Sequence, residues 1–242
     1  MDDAKFYDEM WIVWRDMQQY APAPRYLRRM VMKELSRLEF DSVLDAGCGQ
    51  GTLLEMIGAK YPLVELNGCE LSETALEACR QKVPDAKLHR MDFLQDEVSI
   101  DRSYDVIVSV QVLEHLEDDL CALQKLRQMC RRYIVVNVPG GKLDAHGRRN
   151  GHYRHYTTES LSAVMREADF DVLRSFSCGW PVHSLLYRYA ARTLPQKLVA
   201  GAGLGEYSRA KRAAMQLLDY AYRLNLSFVG TEVFAIGTPR KR

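Results

Sequence analysis

The segment Val43-Leu44-Asp45-Ala46-Gly47-Cys48-Gly49-Gln50-Gly51 places three glycines at alternate positions directly after an apolar run. Two further acids recur downstream, Glu70 closing Val64–Glu70 and Asp92 following Lys87–Met91. Glycines in such a loop let the backbone turn sharply and approach a ligand closely. A dinucleotide site is the rival use, but Thr52 stands where that fingerprint needs its third glycine. Asp45, at the strand end, would also aim a carboxylate at the place of the pyrophosphate. Two like charges about 4 Å apart in a partly desolvated site repel by several kcal/mol. A ligand with cationic groups suits Asp45 better. A carboxylate at the end of the second strand, about 20 or more residues past the loop, suits a pair of ribose hydroxyls. Asp92 can accept from an exocyclic amine while Phe93 or Leu94 covers a ring face. Ala46, Gly47, Cys48, Gly49, Gly51, Leu71 and Phe93 complete the expected ligand wall.

These residues need strands to carry them. Apolar strand candidates are Ser42–Asp45, Val64–Glu70, Lys87–Met91, Asp105–Val110, Tyr133–Val138, Asp171–Ser177 and Glu232–Thr238. Helical patterns at Thr52–Lys60, Ser72–Lys82, Asp118–Cys130 and Thr157–Ala168 separate most of them. Ser72 reads as an N-cap with Glu73 in the first turn. The alternation predicts an α/β chain with a parallel, doubly wound sheet covered on both faces, its ligand at the carboxyl ends of the strands. Two helices precede the sheet. Ala4–Gln19 carries Phe6, Tyr7, Met10, Trp11, Trp14 and Met17 on one stripe, and the second follows Pro22 and Pro24. A polar loop spans Pro139 to Tyr156, and a long helical segment is expected from about Trp180 to Phe228.

Residues Val43 to Val138 resemble the class I S-adenosylmethionine-dependent methyltransferase family. Val43–Gly51 is similar to its first motif, Glu70 to its ribose-binding acid and Asp92 to its adenine-binding acid. Tyr104–Leu116 is similar to the fourth-strand motif of its small-molecule branch, so Val110, Gln111 and His115 join the expected cofactor wall. Similarity to the ubiquinone-biosynthesis O-methyltransferases continues through His152-Tyr153-Arg154-His155-Tyr156-Thr157. The resemblance implies a Rossmann-like methyltransferase fold, a seven-stranded sheet whose last strand is antiparallel. It implies S-adenosyl-L-methionine as cofactor and methyl transfer to a small molecule at oxygen, with nitrogen and carbon acceptors left open. A non-catalytic cofactor-binding or regulatory subunit is the alternative. Three parts are expected: an N-terminal helical cap over 1–40, a core over 41–179 and 230–242, and a helical insertion over 180–229 acting as a substrate lid. That insertion is expected to close the acceptor pocket and support a homodimer, and a glycan or lipid-linked acceptor fits its apolar stripes.

A hydroxyl acceptor must lose its proton, and neutral imidazole takes one best near pH 7. His115 past the fourth strand and His152 and His155 in the loop are the candidate bases. The positive end of the helix starting near Thr157 would keep a nearby imidazole neutral. His146 is a further loop histidine, and Arg148, Arg149 and Arg154 are candidate clamps for an acceptor anion. Glu114-His115 with a later histidine resembles the way some relatives hold a divalent ion. Gln111 replaces the first acid of that pattern, however, and no metal is expected. Tyr7 and Trp11 are expected to dock the first helix and to cover the cofactor.

Composition sets the remaining bounds. The 242 residues suit one elaborated domain, and 33 basic against 32 acidic residues create no global field for nucleic acid. Six cysteines without a CxxC pair read as reduced, buried thiols. With no signal-peptide pattern at the amino terminus, the expectation is a cytoplasmic protein without a transmembrane segment.

Overall fold

The structure, a computed structural model, describes residues 3–97, 103–193 and 205–241. Helices α1 (Asp3–Tyr20) and α2 (Pro22–Leu35) lead into β1 (Ser42–Ala46), α3 (Thr52–Lys60), β2 (Glu65–Glu70), α4 (Glu73–Lys82), β3 (Lys87–Arg90) and β4 (Tyr104–Val110). A 3₁₀ turn (Leu113–His115), α5 (Asp119–Met129), β5 (Cys130–Pro139), α6 (Ala145–Arg149), α7 (Thr158–Glu167) and β6 (Phe170–Cys178) follow. Among the described residues, helix α8 (Val182–Thr193), α9 (Arg209–Tyr222) and β7 (Glu232–Pro239) follow.

The seven strands form one sheet in the order β3-β2-β1-β4-β5-β7-β6. Strands β1 to β5 pair in parallel, and β7 inserts antiparallel between β5 and β6. Strand order reverses between β1 and β4, so their carboxyl ends open the crevice where doubly wound folds bind ligands.

Period-two alternation gives the sheet two apolar faces. Val43, Val106, Val108, Val135 and Phe234 pack with α2, α3 and Tyr222 of α9. Leu44, Ile107, Ile134, Val136 and Ala235 face the other way, onto α5 and α7. Helix α2 is therefore part of the core: Tyr26, Leu27, Met30, Val31 and Leu35 are all buried.

Local chemistry sets the helix starts. Ser72 Oγ accepts from Ala75 N at 3.2 Å, and Thr157 and Ser160 form a reciprocal capping box. Two departures from the sequence reading stand out. The polar loop contains the short α6, whose Asp144 cap accepts from Gly147 N at 2.9 Å. The segment expected to be helical from Trp180 to Phe228, with amphipathic pieces at Leu185–Ala190 and Met215–Leu226, carries α8 and α9 at those pieces but stops being helical before Phe228. Helix α9 ends at Tyr222, and the chain turns so that Asn225 Oδ1 caps α8 through Val182 N and His183 N. Residues 194–204 of that expected run lie outside the described residues.

Candidate functional site

Strand β1 delivers Asp45 and then the glycine loop. Gly47, Gly49 and Gly51 have φ of +84°, +51° and +73°. The N–H groups of Gly47 and Cys48 donate to Cys69 O at 2.8 and 3.0 Å, pinning the turn to the end of β2. A Cβ at position 49 would strike the Trp11 ring, so glycine is required there for space as well as for backbone conformation.

Two buried acids lie beside this loop. Asp45 is 3% exposed, and burial, followed by the nearby Glu70 charge, pushes its carboxyl up to about 7. Glu70 ends β2 with Oε2 accepting from Gly49 N (3.0 Å) and Oε1 from Leu71 N (2.9 Å) and Ser72 N (3.1 Å). Burial raises its carboxyl, opposed by those three amides. Glu70 thus ties the second strand to the glycine loop, a use that sequence spacing did not reveal. Asp92 sits past β3, with Oδ1 accepting from Leu94 N at 2.8 Å and Gln95 N at 3.3 Å, and Phe93 is buried beside it.

Helix α1 roofs the loop. Trp11 lies over Gly49, and Gln50 Nε2 donates to Trp11 O at 3.2 Å. Asp8 Oδ1 accepts from Ser72 Oγ (2.5 Å) and Thr74 N (3.1 Å), fastening α1 to the start of α4. The Ser72 hydrogen bond in particular holds the Asp8 carboxyl below its usual range.

Past β4 a second cluster forms. Gln111, at φ +56°, turns its Nε2 to Asn137 Oδ1 and Glu232 Oε2, each at 3.0 Å. Glu232 Oε1 lies 3.0 Å from His183 Nε2, and both side chains are buried. His115 meets Tyr7 edge-on at 6.1 Å and His152 edge-on at 4.6 Å, and His152 Nδ1 lies 2.9 Å from His155 Nε2. Burial lowers His115 to about 4. His152 falls to about 3 through burial and then the neighbouring imidazoles His115 and His155. Burial also lowers His155 and His146. All four rings are neutral near pH 7.

Glu114 is fully buried, and neither of its oxygens accepts a hydrogen bond from a described residue; burial raises it well above the carboxylate range. Donor atoms of Glu114, His115 and His152 all lie within 4.8 Å of one another. Gln111, whose replacement of an acid argued against a metal, points away to Asn137 and Glu232, and the three remaining donors gather without it. Zinc ligands about 2.0–2.1 Å from the ion would need this group to contract.

The arginine clamps fare differently. Arg154 donates to the Leu116 and Glu117 carbonyls and pairs with Asp119 at 3.1 Å, so it braces the fold and is not free to grip an acceptor. Arg148 and Arg149 are exposed, and Arg148 bonds to Leu143 O at 3.3 Å.

Comparison with known proteins follows the same segment. The profile of a family described as "Methyltransferase domain" matches residues 44–132. A malonyl-[acyl-carrier protein] O-methyltransferase of Priestia megaterium is 28% identical over 93 residues, 37% of this chain and 34% of that protein. A trans-aconitate 2-methyltransferase of Variovorax paradoxus is 27% identical over 122 residues, 50% of this chain and 42% of that one. Over this segment the chain is similar to S-adenosylmethionine-dependent methyltransferases. Its match covers less than half the length of these curated relatives. Solved structures share the fold. Magnesium protoporphyrin IX methyltransferase from Synechocystis, with bound S-adenosylhomocysteine, aligns at TM-score 0.58 and 13% identity over 94% of this chain and 93% of that one. An N-methyltransferase from Bradyrhizobium japonicum, also complexed with S-adenosylhomocysteine, aligns at 0.57 and 15% over 94% and 98%.

The residues expected around a cofactor gather at the carboxyl ends of β1, β2, β3 and β4. Val112 joins them to the histidines, because a Cβ at Gly47 would strike its side chain three residues before His115. Sequence reasoning missed Asp8, Asn137, His183 and Glu232. An acid opening an otherwise apolar last strand was the only available signal for Glu232.

Proposed function

We propose that the chain is an S-adenosyl-L-methionine-dependent methyltransferase acting on a small-molecule hydroxyl. The observation that carries this reading is the buried Asp45 beside the glycine loop, with a set of neutral imidazoles following β4, the strand paired with β1. A carboxyl held up to about 7 in a dry site is costly by itself and is relieved by a cationic ligand. Asp45 would face the ligand's ammonium and sulfonium, Glu70 the ribose hydroxyls, and Asp92 the adenine amine through its second oxygen. Phe93, Leu71 and Val110 would wall the nucleoside, and α1 would close over it through Tyr7 and Trp11.

S-adenosylmethionine supplies a methyl group already activated on sulfur. The chain must therefore align the acceptor and remove its proton. His152 is the preferred base. When its Nδ1–H donates to His155 Nε2, its Nε2 is left with the free lone pair, and His155 fixes the ring and tautomer. His115, between Tyr7 and His152, would line the passage between the two ligands. Residues 180–229 would form the acceptor lid, an assignment supported by Tyr187 of α8 lying 5.7 Å ring to ring from His146.

Calorimetric titration with S-adenosylhomocysteine, NAD and ATP tests the cofactor reading. Micromolar binding of S-adenosylhomocysteine alone is expected, and preference for NAD would overturn it. Release of S-adenosylhomocysteine during incubation with a panel of phenols, hydroxy acids and carboxylic acids tests the acceptor class. Turnover confined to amines would move the reaction to nitrogen.

A further inference from the structure

We propose that the outer face of α8, α9 and the turn after α9 docks on an anionic phospholipid bilayer, holding the protein at the membrane surface without spanning it. Exposed large hydrophobic side chains are not scattered evenly over the described residues. Of fourteen, ten fall between Trp180 and Val229. Single exposed apolar residues are ordinary, but a concentration of this kind marks an interaction surface. On α9, Leu217 and Tyr220 are three residues apart on one helix face, and Leu224 follows in the turn just past the helix end. Their exposures are 71%, 53% and 69%. The opposite face of α9 is anchored, with Asp219 buried and paired to Arg25 at 3.4 Å and Arg29 at 2.7 Å on α2. That anchoring fixes which side of the helix looks outward.

The turn after α9 continues the apolar surface. Trp180 pairs with Leu226 as a β-bridge, and Trp180 N donates to Val229 O at 3.0 Å. Phe228, 70% exposed, lies between those partners in sequence, and Leu185 opens the exposed side of α8. Aromatic and leucine side chains of this kind enter the headgroup and acyl boundary of a bilayer.

Charge selects the occupant. Among the described side chains between Trp180 and Val229, five are basic (Arg188, Arg209, Lys211, Arg212 and Arg223) and two acidic (Glu206 and Asp219), in a chain with 33 basic and 32 acidic residues overall. One of those two acids is Asp219, turned inward. Arg188, Arg209 and Arg223 are exposed, while Arg212 turns to α1, pairing with Asp16 at 3.3 Å. A second copy of the chain would bring like charge against like, whereas an anionic lipid surface complements this face. No described helix is long and apolar enough to cross a bilayer, so the surface lies on the membrane and does not span it.

Cosedimentation of the full chain with phosphatidylcholine vesicles, with and without phosphatidylglycerol, tests the assignment. The protein is expected to partition at least about tenfold better onto the anionic vesicles, with the preference fading in high salt. L217E/L224E and R209E/R223E alter only exposed side chains and should keep the wild-type thermal midpoint. Each should lose about tenfold or more of that partitioning. Equal partition onto both vesicle types, or variants that bind like the wild type, would overturn the proposal. A dimer in light scattering that L217E/L224E dissolves would also overturn it, by giving this face to a second copy of the chain.

Discussion

His152 Nδ1 lies 2.9 Å from His155 Nε2, so two imidazoles three residues apart share one hydrogen bond at the carboxyl end of the sheet. The pair makes unequal partners of the two rings. Replacing His152 by alanine should lower kcat by about 10²–10⁴, the range for a lost general base, with S-adenosylhomocysteine affinity unchanged. His155→Ala should cost about tenfold, because it loosens the tautomer and leaves the base in place. Single-turnover rates on both variants decide this. Equal losses would mean that the pair acts as a unit.

Histidine burial also predicts how stability depends on pH. His115 and His152 fall from the ordinary imidazole value of 6.5 to about 4 and about 3 in the folded chain. The unfolded chain then binds more protons than the folded one between those values and 6.5, so stability is full above 6.5 and is lost as pH falls toward 3. Urea midpoints measured from pH 7.5 down to pH 4 should decline, and H115Q/H152Q should flatten that slope. A double variant with the wild-type slope would assign the acid sensitivity to other groups.

Asp45 runs the opposite way. With its carboxyl raised from 3.8 to about 7, the folded chain loses stability as pH climbs from about 4 to about 7, and the cost persists above that. Asp45→Asn should therefore raise the ligand-free thermal midpoint at pH 8 by several degrees, at about 2–4 °C per kcal/mol for a chain of this size. It should also weaken S-adenosylmethionine by about 1.5–3 kcal/mol, the scale of a lost charge-assisted contact. A variant both less stable and unchanged in affinity would remove Asp45 from the ligand site.

Glu70 holds three backbone amides together, so Glu70→Ala should do two kinds of damage. Losing the ribose partner should weaken S-adenosylhomocysteine by about 1.5–3 kcal/mol, and the orphaned Gly49, Leu71 and Ser72 N–H groups should lower the thermal midpoint. Paired calorimetry and thermal melts check both effects. Unchanged affinity would sink the ribose assignment even if stability fell.

Trp11 and Gly49 form a coupled pair across the roof of the site. Gly49→Ala should displace α1, shift Trp fluorescence to the red and weaken cofactor binding about tenfold or more, since both the ring and the left-handed φ oppose a Cβ. Adding Trp11→Ala should recover part of the lost stability, leaving the backbone strain of about 1–2 kcal/mol. No recovery in the double variant would mean that strain alone accounts for the loss.

Local pattern carried much of this protein. Alternating apolar runs gave all seven strands, the antiparallel last strand followed from the family resemblance, and Ser72 was legible as a helix cap from its position alone. The glycine loop and its three acids were legible too, because chain order places successive strand ends side by side in a doubly wound sheet. What the sequence could not determine lies in contacts made at long separation. His183 and Glu232 are 49 positions apart and meet only because β7 inserts between β5 and β6 while α8 folds over their ends. Arg154 looked like an acceptor clamp, yet packing brings it to the Leu116 and Glu117 carbonyls, whose need for donors claims its guanidinium first. The helix end near Thr157 was expected to keep the loop histidines neutral. Burial and neighbouring imidazoles lower them, and burial is a property of the packed molecule that no stretch of sequence carries alone.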